Sequence, residues 1–223
     1  MGKISALVSA YYAESFMHTR LLNLYGQKPK PEIVVVCQEG SAEERIARSY
    51  ETIVVITPDI PTIGAAWNLA IGQASGDYLI TANTDDTIKV GGLARMIDVL
   101  DVHSEVGLVF SDVDLKHHNT VRSWIRYIGN EGIVPDMYEK LKSRCFIGSM
   151  PIWRRSAMLG RFDEGYQVAC DYDMWLNMAK SGTIFWYIPE SLGVYELRED
   201  SLEHRNQEQC RSESRKIRGI RVQ

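Results

Sequence analysis

Short apolar runs alternate with segments of helical periodicity through the first half of the chain, and this alternation constrains the fold more than any other feature. The apolar runs are 3–9, 32–37, 52–56, 77–82 and 105–110. The second run, EIVVVC, is β-branched and unbroken, which is typical of a strand buried on both faces. Strands that alternate with helices form parallel sheets covered by helices. The chain therefore predicts an α/β fold with an open, doubly wound sheet.

Length and composition indicate one globular domain. The 223 residues are 45% hydrophobic and 24% charged, values that are ordinary for a globular protein with a substantial core. No apolar run approaches the roughly 20 residues that span a bilayer, and the N-terminus lacks the layout of a signal peptide, so we expect a cytoplasmic protein. The net charge of -4 argues against a nucleic-acid partner, which would require a clustered basic face.

Cysteine spacing and the C-terminal charge give two further expectations. The four cysteines, at 37, 145, 170 and 210, contain no Cys-x-x-Cys pair, so we expect reduced thiols rather than a zinc site. From Arg205 onward, six basic residues stand against two acidic ones. We expect a solvated, partly frayed helix there, and a weak peripheral contact with an anionic membrane is the alternative. The adjacent His117 and His118 are expected in a solvated turn.

Two adjacent carboxylates follow the fourth apolar run, in the step Asn83-Thr84-Asp85-Asp86. In an open α/β sheet, ligands bind beyond the carboxyl ends of the strands. Acids placed there can hold a hard cation through oxygen ligands, and the cation can clamp a diphosphate. The alternative is that Asp85 and Asp86 are turn residues that cap the helix expected to start near Lys89.

This step and the helix before it resemble the signature of the family 2 glycosyltransferases. That signature joins a helix with "RN.g...A.GeyI" to a strand and a D-x-D-D acid motif. The matching segments here are Trp67-Asn68-Leu69-Ala70, Ala74-Ser75-Gly76-Asp77-Tyr78-Leu79-Ile80 and Asn83-Thr84-Asp85-Asp86. The resemblance implies a single domain with the GT-A fold, a Rossmann-like open mixed sheet, mostly parallel, flanked by helices.

Two blocks in the second half extend the resemblance. Residues 154–164 are similar to the family's "RRsal..vGgFDE", and residues 169–182 are similar to "ED.DLwlRla..G", with Asp171 as its second acid. The resemblance covers residues 3 to 110 and 144 to 195. It divides the single domain, 1–223, into a nucleotide-sugar-binding half (1–110), an acceptor-side half (111–195) and a basic C-terminal tail (196–223).

The resemblance implies a metal-assisted, inverting transfer of a sugar, of the hexosyltransferase type, as in polysaccharide biosynthesis. The donor would be a nucleoside-diphosphate sugar, expected to be UDP-linked, and the acceptor a hydroxyl of a saccharide or another molecule. A divalent metal, Mn2+ or Mg2+, would neutralise the departing diphosphate at Asp85 and Asp86, and a carboxylate would remove the acceptor's proton. Asp171 is the implied general base; Asp173 is an alternative base, and Asp171 is alternatively an ordinary acid stabilised at a helix N-terminus.

The resemblance also places the donor's contacts. Tyr11 corresponds to the family's aromatic beside the nucleobase, where a ring can stack. Gln38 replaces the acid that reads uracil, and its amide oxygen can still accept a hydrogen bond. The complete donor-binding set is Ala10, Tyr11, Gln38, Asn68, Asn83, Thr84 and Asp85.

Departures from the family pattern keep a second function open. They are Gln38, Trp67, Asn83 and Cys170, in place of an acid, an arginine, an acid and a glutamate. His204 is a candidate for the C-terminal histidine that related enzymes bring to the metal. A catalytically silent nucleotide-sugar or glycan-binding module is the alternative function. A nucleotidyltransferase is disfavoured, because the loop 10–14 lacks the Gly- and Lys/Arg-rich composition of a phosphate loop.

Overall fold

Strands and helices alternate in the first half of the chain, as the sequence predicts. The structure is a computed structural model that describes residues 2–219. The strands of this half are β1 (Ile4–Ala10), β2 (Glu32–Gln38), β3 (Ile53–Thr57), β4 (Tyr78–Thr81) and the short β5 (Thr87–Ile88). The helices are α1 (Glu14–Tyr25), α2 (Ala42–Arg48), α3 (Ile63–Gln73) and α4 (Gly92–Val102).

The second half begins with a strand much longer than expected. Its elements are β6 (Val106–His117), β7 (Thr120–Trp124), β8 (Gly132–Ile133), α5 (Met137–Ser143), β9 (Ile152–Arg154), α6 (Cys170–Lys180), β10 (Ile184–Glu196), α7 (Leu202–Arg205) and α8 (Gln207–Ile217). The apolar pattern ends at Phe110, but β6 continues because it pairs with β10 on one side and forms a hairpin with β7 on the other. His118 lies in the hairpin turn, and His117, expected there too, is the last residue of β6; both are exposed.

One open, mixed sheet organises the molecule, which confirms the predicted fold class. Its order is β3-β2-β1-β4-β9-β6-β10-β5, with β7 beside β6 and β8 beside β10. The pairs β3-β2, β2-β1 and β1-β4 are parallel, and so is the long pair β6-β10. Strand β9 joins these two parallel parts by antiparallel pairing with β4 and β6.

Apolar layers cover both faces of the sheet. Alternate residues of β1 divide between them: Ile4, Ala6 and Val8 pack in the layer with α1 and α4, and Leu7 packs in the layer with α3 and α6. Trp153 and Trp175 are buried in the second layer, with ring centroids 5.1 Å apart. This burial on both faces explains the unbroken apolar runs of the parallel strands.

The C-terminal tail is better anchored than the expected frayed helix. Most side chains of α8 are exposed, but Glu213 is buried, and its carboxylate accepts hydrogen bonds from the backbone of residues 167–169, just before α6. Arg221, counted in the basic tail, lies outside the described residues. The predicted membrane contact stays a prediction. None of the helices of residues 2–219 has the length and apolarity that a membrane crossing requires.

Candidate functional site

The carboxyl ends of β1, β2 and β4 bring most predicted donor-binding residues to one edge of the sheet. In the parallel register, Ala10 lies beside Cys37, and Gln38 lies beside Thr57. Tyr11 follows the end of β1 and is 40% exposed, with its ring centroid 4.3 Å from that of Tyr12. The edge thus combines an accessible aromatic ring with the amide of Gln38.

The two acids of the step after β4 lie in different environments. Asp86 is only 1% exposed; Oδ1 accepts from the Glu196 backbone N–H at 3.2 Å, and Oδ2 accepts from Asn83 Nδ2 at 3.4 Å. Burial and the neighbouring Asp85 raise the pKa of Asp86 to about 7. Neither acid caps α4, because that helix has Gly91 as N-cap and no side-chain cap. The capping alternative is therefore excluded.

Two arginines balance these carboxylates. Arg20 is fully buried in α1, and its guanidinium favours the ionised forms of Asp85 and Asp86. Burial lowers the pKa of Arg20 to about 10, so it is still charged at neutral pH. Its Nη1 donates to Asn23, but its Nε and Nη2 have no hydrogen-bond partner. Arg198, just beyond β10, donates from Nη1 to Asp85 Oδ2 at 3.3 Å.

The residues around Asp85 do not fit the predicted divalent cation. No cluster of three His, Cys, Asp or Glu side chains within residues 2–219 is arranged to hold a metal ion. Arg198 is already paired with the carboxylate of Asp85, and the carboxylate of Asp86 is buried. The further oxygen of the acid step that could ligate a metal is Oδ1 of Asn83, which has no hydrogen-bond partner. His204 is exposed on α7, with its Nδ1 3.4 Å from Gln207 Nε2. Metal ligation by Asp85 and Asp86 stays a prediction that this geometry does not support.

Asp171 has the environment of a general base. It is the second residue of α6, and its Oδ1 accepts from the Tyr172 backbone N–H at 2.7 Å. Burial raises the pKa of Asp171 to about 6; the hydrogen bond lowers it, Glu203 raises it and Arg126 lowers it. A solvated acid at a helix N-terminus would instead have a lowered pKa. A carboxylate with this pKa is ionised at neutral pH and still basic enough to take a proton.

Asp173, the alternative base, has different neighbours. Residues two apart on a helix point to different faces, and Asp173 Oδ2 accepts from Asn177 Nδ2 at 3.0 Å. Its charged neighbours are Asp163 and Lys216 rather than Glu203 and Arg126. Burial raises the pKa of Asp173 as well, so the choice of Asp171 over Asp173 as the base stays a prediction.

A groove of about 340 Å³ lies between β10 and the tail. Its lining includes the rings of Trp124 and Tyr195, whose centroids are 5.3 Å apart, and the side chain of Glu203. The Tyr195 hydroxyl donates to Glu203 Oε2 at 3.0 Å. Burial raises the pKa of Tyr195, as do Glu203, Asp86 and Asp85. Glu203, which lines this groove, is also a charged neighbour of Asp171.

Three residues of the resembling motifs, Trp67, Asn68 and Cys170, pack against or hydrogen-bond to other parts of the protein. Both hydrogens of the Asn68 amide are engaged, with Phe162 O at 2.9 Å and Glu164 Oε1 at 2.8 Å, and its Oδ1 accepts from the Phe162 N–H. The predicted donor-binding role of Asn68 stays a prediction, and in this structure its amide holds the turn at 162–164. Trp67 and Cys170 are buried in the same apolar layer.

The sequence interpretation missed Arg198, Glu203, Tyr195 and Trp124. Only Tyr195 lies within the ranges of the resemblance, and it was not chosen there. The others lie in segments without strong periodicity, where an arginine or a glutamate looks like an ordinary surface charge. The acidic and basic run around Arg198 directly after a long strand was the one available signal.

An open mixed sheet with an acid step at the carboxyl ends of its parallel strands, and a second, partly buried carboxylate at the start of α6, is typical of glycosyltransferases of the GT-A class. The family model described as "Glycosyl transferase family 2" matches residues 5–162, and the chain belongs to this family. The matched range includes the acid step but ends before Asp171, whose role therefore depends on the geometry and on the resemblance noted above.

Related proteins share the fold at low sequence identity. An uncharacterized glycosyltransferase of Rickettsia prowazekii (strain Madrid E) is 20% identical over 195 residues, which cover 82% of this chain and 60% of the relative. S. aureus TarS 1-349 in complex with UDP superposes with a TM-score of 0.74 at 16% identity, covering 98% of this chain and 64% of that 1-349 segment. The mannosyltransferase PcManGT of Pyrobaculum calidifontis, in complex with GDP-Man and Mn2+, has a TM-score of 0.67 at 19% identity, covering 91% of this chain and 59% of PcManGT. This chain thus spans about 60% of the length of these relatives.

Proposed function

We propose that this protein transfers a sugar from a nucleoside-diphosphate sugar, UDP-linked, to an acceptor hydroxyl with inversion at the anomeric carbon. The observation that carries the proposal is the carboxylate of Asp171, whose pKa burial raises to about 6, in a chain that also has the acid step at the carboxyl end of β4. Membership of family 2 supports the reaction class. TarS structures that hold UDP and UDP-GlcNAc support the uridine donor.

The donor would lie across the carboxyl edge of the sheet. The exposed ring of Tyr11 is placed to stack on the base, and the amide oxygen of Gln38 to accept from it. Asn83 Oδ1 is buried and without a partner, so a ribose hydroxyl would satisfy it. Ala10 and Thr84 would contribute backbone and hydroxyl contacts beside these groups. Asp85 faces the open side of the edge, where its partner is Arg198.

The transfer would be one displacement. The acceptor oxygen forms a bond with the anomeric carbon while its proton passes to Asp171, and the bond from that carbon to the diphosphate oxygen breaks with its electron pair on the departing nucleoside diphosphate. Attack on the face opposite to the leaving group inverts the carbon. The raised pKa of Asp171 makes proton transfer more favourable than it would be to a solvated carboxylate.

The groove between β10 and the tail is the proposed acceptor site. Trp124 and Tyr195 offer aromatic faces, and Glu203 and His204 offer polar groups, a combination that suits the apolar faces and hydroxyls of a saccharide. Glu203, which lines the groove, is also a charged neighbour of Asp171. An acceptor seated there would present a hydroxyl between the base and the donor.

Asp171→Asn tests the proposal, with Asp173→Asn as the matched control. We expect Asp171→Asn to lower kcat by about 10²- to 10⁴-fold and to leave nucleotide binding in a thermal-shift assay unchanged, because Asp171 contacts the acceptor rather than the donor. Asp173→Asn should keep its kcat within a few-fold of the parent. The assay measures nucleoside diphosphate released from a panel of sugar nucleotides with saccharide acceptors.

Two outcomes would contradict the proposal in different ways. An unchanged kcat in Asp171→Asn would remove the base assignment. A parent protein that binds a sugar nucleotide but turns over none of the panel would favour the catalytically silent module, which the substitutions at Gln38 and Asn83 keep as the alternative function.

A further inference from the structure

A guanidinium occupies the position from which a metal would be expected to contact the diphosphate. Arg198 is ion-paired with Asp85 at 3.3 Å and with Asp200 at 2.6 Å. Its guanidinium carbon lies 3.9 Å from the centroid of the Phe16 ring. The side chains of Arg198 and Asp85 are 21% and 22% exposed. Asp200 and the Phe16 ring thus hold Arg198 in place, and the pair of Arg198 and Asp85 is still accessible to a ligand at the carboxyl edge.

Guanidinium groups already match the carboxylates around this pair. Asp85 and Asp86 are matched by Arg20 and Arg198, and Asp200, the second partner of Arg198, has Arg205 at 4.0 Å. The formal charge of these six groups is zero, and Asn83 stands where the family has a further acid. A divalent cation at Asp85 would have to displace the Arg198 guanidinium or lie beside it. A diphosphate would instead meet the accessible guanidinium of Arg198, while the buried Arg20 would add its positive charge without contacting the ligand.

Arg198 has the donors that phosphate recognition requires. A guanidinium carries five N–H donors in a rigid planar fork that matches phosphate oxygens. Among residues 2–219, its acceptors are Asp85 and Asp200, one bond each. At least three donors therefore stay available for phosphate oxygens while the pair with Asp85 keeps the fork in position.

We propose that Arg198, supported by the buried charge of Arg20, neutralises the diphosphate of the donor in place of a divalent cation, so that donor binding does not require a metal. This inference rests on the proposed function. As the bond to the anomeric carbon breaks, negative charge increases on the departing diphosphate. A preorganised guanidinium stabilises that charge most strongly in the transition state.

Nucleotide affinity with and without metal tests the inference independently of turnover. UDP, GDP, CDP and dTDP are titrated into the full chain by calorimetry, once with Mn2+ and once with EDTA. We expect one nucleotide to bind with the same dissociation constant in both conditions. Arg198→Gln should weaken it by about 10- to 100-fold, as expected for lost charge-assisted hydrogen bonds. Arg215→Gln is the control, because Arg215 is an exposed arginine of the same tail.

Asp85→Asn separates the two mechanisms by the direction of its effect. If Asp85 ligates a metal, the substitution abolishes metal-dependent nucleotide binding. If Arg198 binds the diphosphate, the substitution removes a negative charge beside the ligand while the Asn oxygen can still accept from Arg198 and keep its fork in position, and binding is unchanged or tighter. A thermal melt of each variant shows that it is folded, and Arg198→Lys, which keeps the charge and loses the fork, should have an affinity between those of the parent and Arg198→Gln.

Each outcome has one meaning. Binding that requires Mn2+, or that is lost in Asp85→Asn, overturns the role of Arg198 and leaves the proposed glycosyltransferase function standing. Equal affinities for the parent and Arg198→Gln in EDTA also overturn it. If no nucleotide binds the parent in either condition, the proposed function fails together with the inference.

Discussion

The carboxylate of Glu213 fastens the C-terminal tail to the helix that carries Asp171, and it provides a test that needs no substrate. Oε1 accepts from the Gln167 N–H at 2.8 Å, and Oε2 accepts from the N–H groups of Val168 at 3.0 Å and Ala169 at 2.9 Å. Glu213 is 5% exposed. Glu213→Gln replaces one acceptor oxygen with an amide group that can only donate, while the shape of the side chain is kept.

The expected cost follows from these bonds. Whichever way the new amide is turned, at least one of the three backbone N–H groups loses its acceptor, and the remaining bonds lose their charge. An unsatisfied buried donor costs about 1–3 kcal/mol, and a hydrogen bond to a charged group contributes about 1.5–3 kcal/mol. We expect the free energy of unfolding to fall by about 2–3 kcal/mol, which for a domain of this size lowers Tm by about 5–10 °C.

The pH dependence of the difference identifies its cause. Burial raises the pKa of Glu213, but its hydrogen bonds, from Gln167 above all, outweigh burial and leave this pKa below its ordinary value. The stabilisation is therefore fully present above the unfolded pKa of about 4.3 and is lost as the pH falls through the folded pKa. The difference in unfolding free energy between parent and Glu213→Gln should be largest at pH 7 and smaller at pH 4.

Chemical denaturation of the parent and two variants completes the test. Glu208→Gln is the matched control, because Glu208 lies on the same helix and is exposed; it should change the free energy of unfolding by less than about 0.5 kcal/mol. The argument that the carboxylate holds the tail would be refuted if Glu213→Gln also lowered the free energy of unfolding by less than about 0.5 kcal/mol. It would be refuted too if the loss of unfolding free energy were the same at pH 4 and pH 7.

Two other substitutions test the site. Glu203→Gln removes a negative charge that raises the pKa of Asp171, so the acid limb of kcat/KM, expected near pH 6, should move to lower pH; a limb that stays in place would show that Glu203 does not act on the base. Asn68→Ala leaves the backbone groups of Phe162 without partners and should destabilise the fold by about 2–3 kcal/mol. Nucleotide affinity, measured by calorimetry, should be unchanged. Weaker nucleotide binding at normal stability would support the donor-binding role of Asn68.

The elements of the nucleotide half could be predicted closely because their determinants are local. Unbroken β-branched runs require burial on both faces, as β2 shows, and the alternation of strands with helices leaves few topologies. The conformation of Gly182 also has a local cause, because glycine is common just after a helix ends. Gly182 follows α6 with a φ of +87°, and its N–H donates to Ala179 O. This is the left-handed turn that ends many helices.

Strand lengths beyond the apolar runs could not be predicted, because they depend on partners far along the chain. Strands β6 and β10 extend past Phe110 and Ile188 because they pair with each other through Glu196 and Lys116. Those residues are charged and carry no periodic signal. The pairing becomes visible only when both strands are placed in the sheet.

Sequence by itself determined the α/β class, the position of the acid step at the end of a strand, and the place of Asp171 at the start of a helix, since each depends on neighbours in the chain. Tertiary structure alone decided which charges meet. It brings Arg198 to Asp85 across 113 positions and Glu203 to Asp171, and it engages the amide of Asn68 with a turn 94 positions away. The physical reason is that burial and long-range Coulomb interactions set the pKa of a carboxyl group and select its partners, and both exist only once the chain is packed.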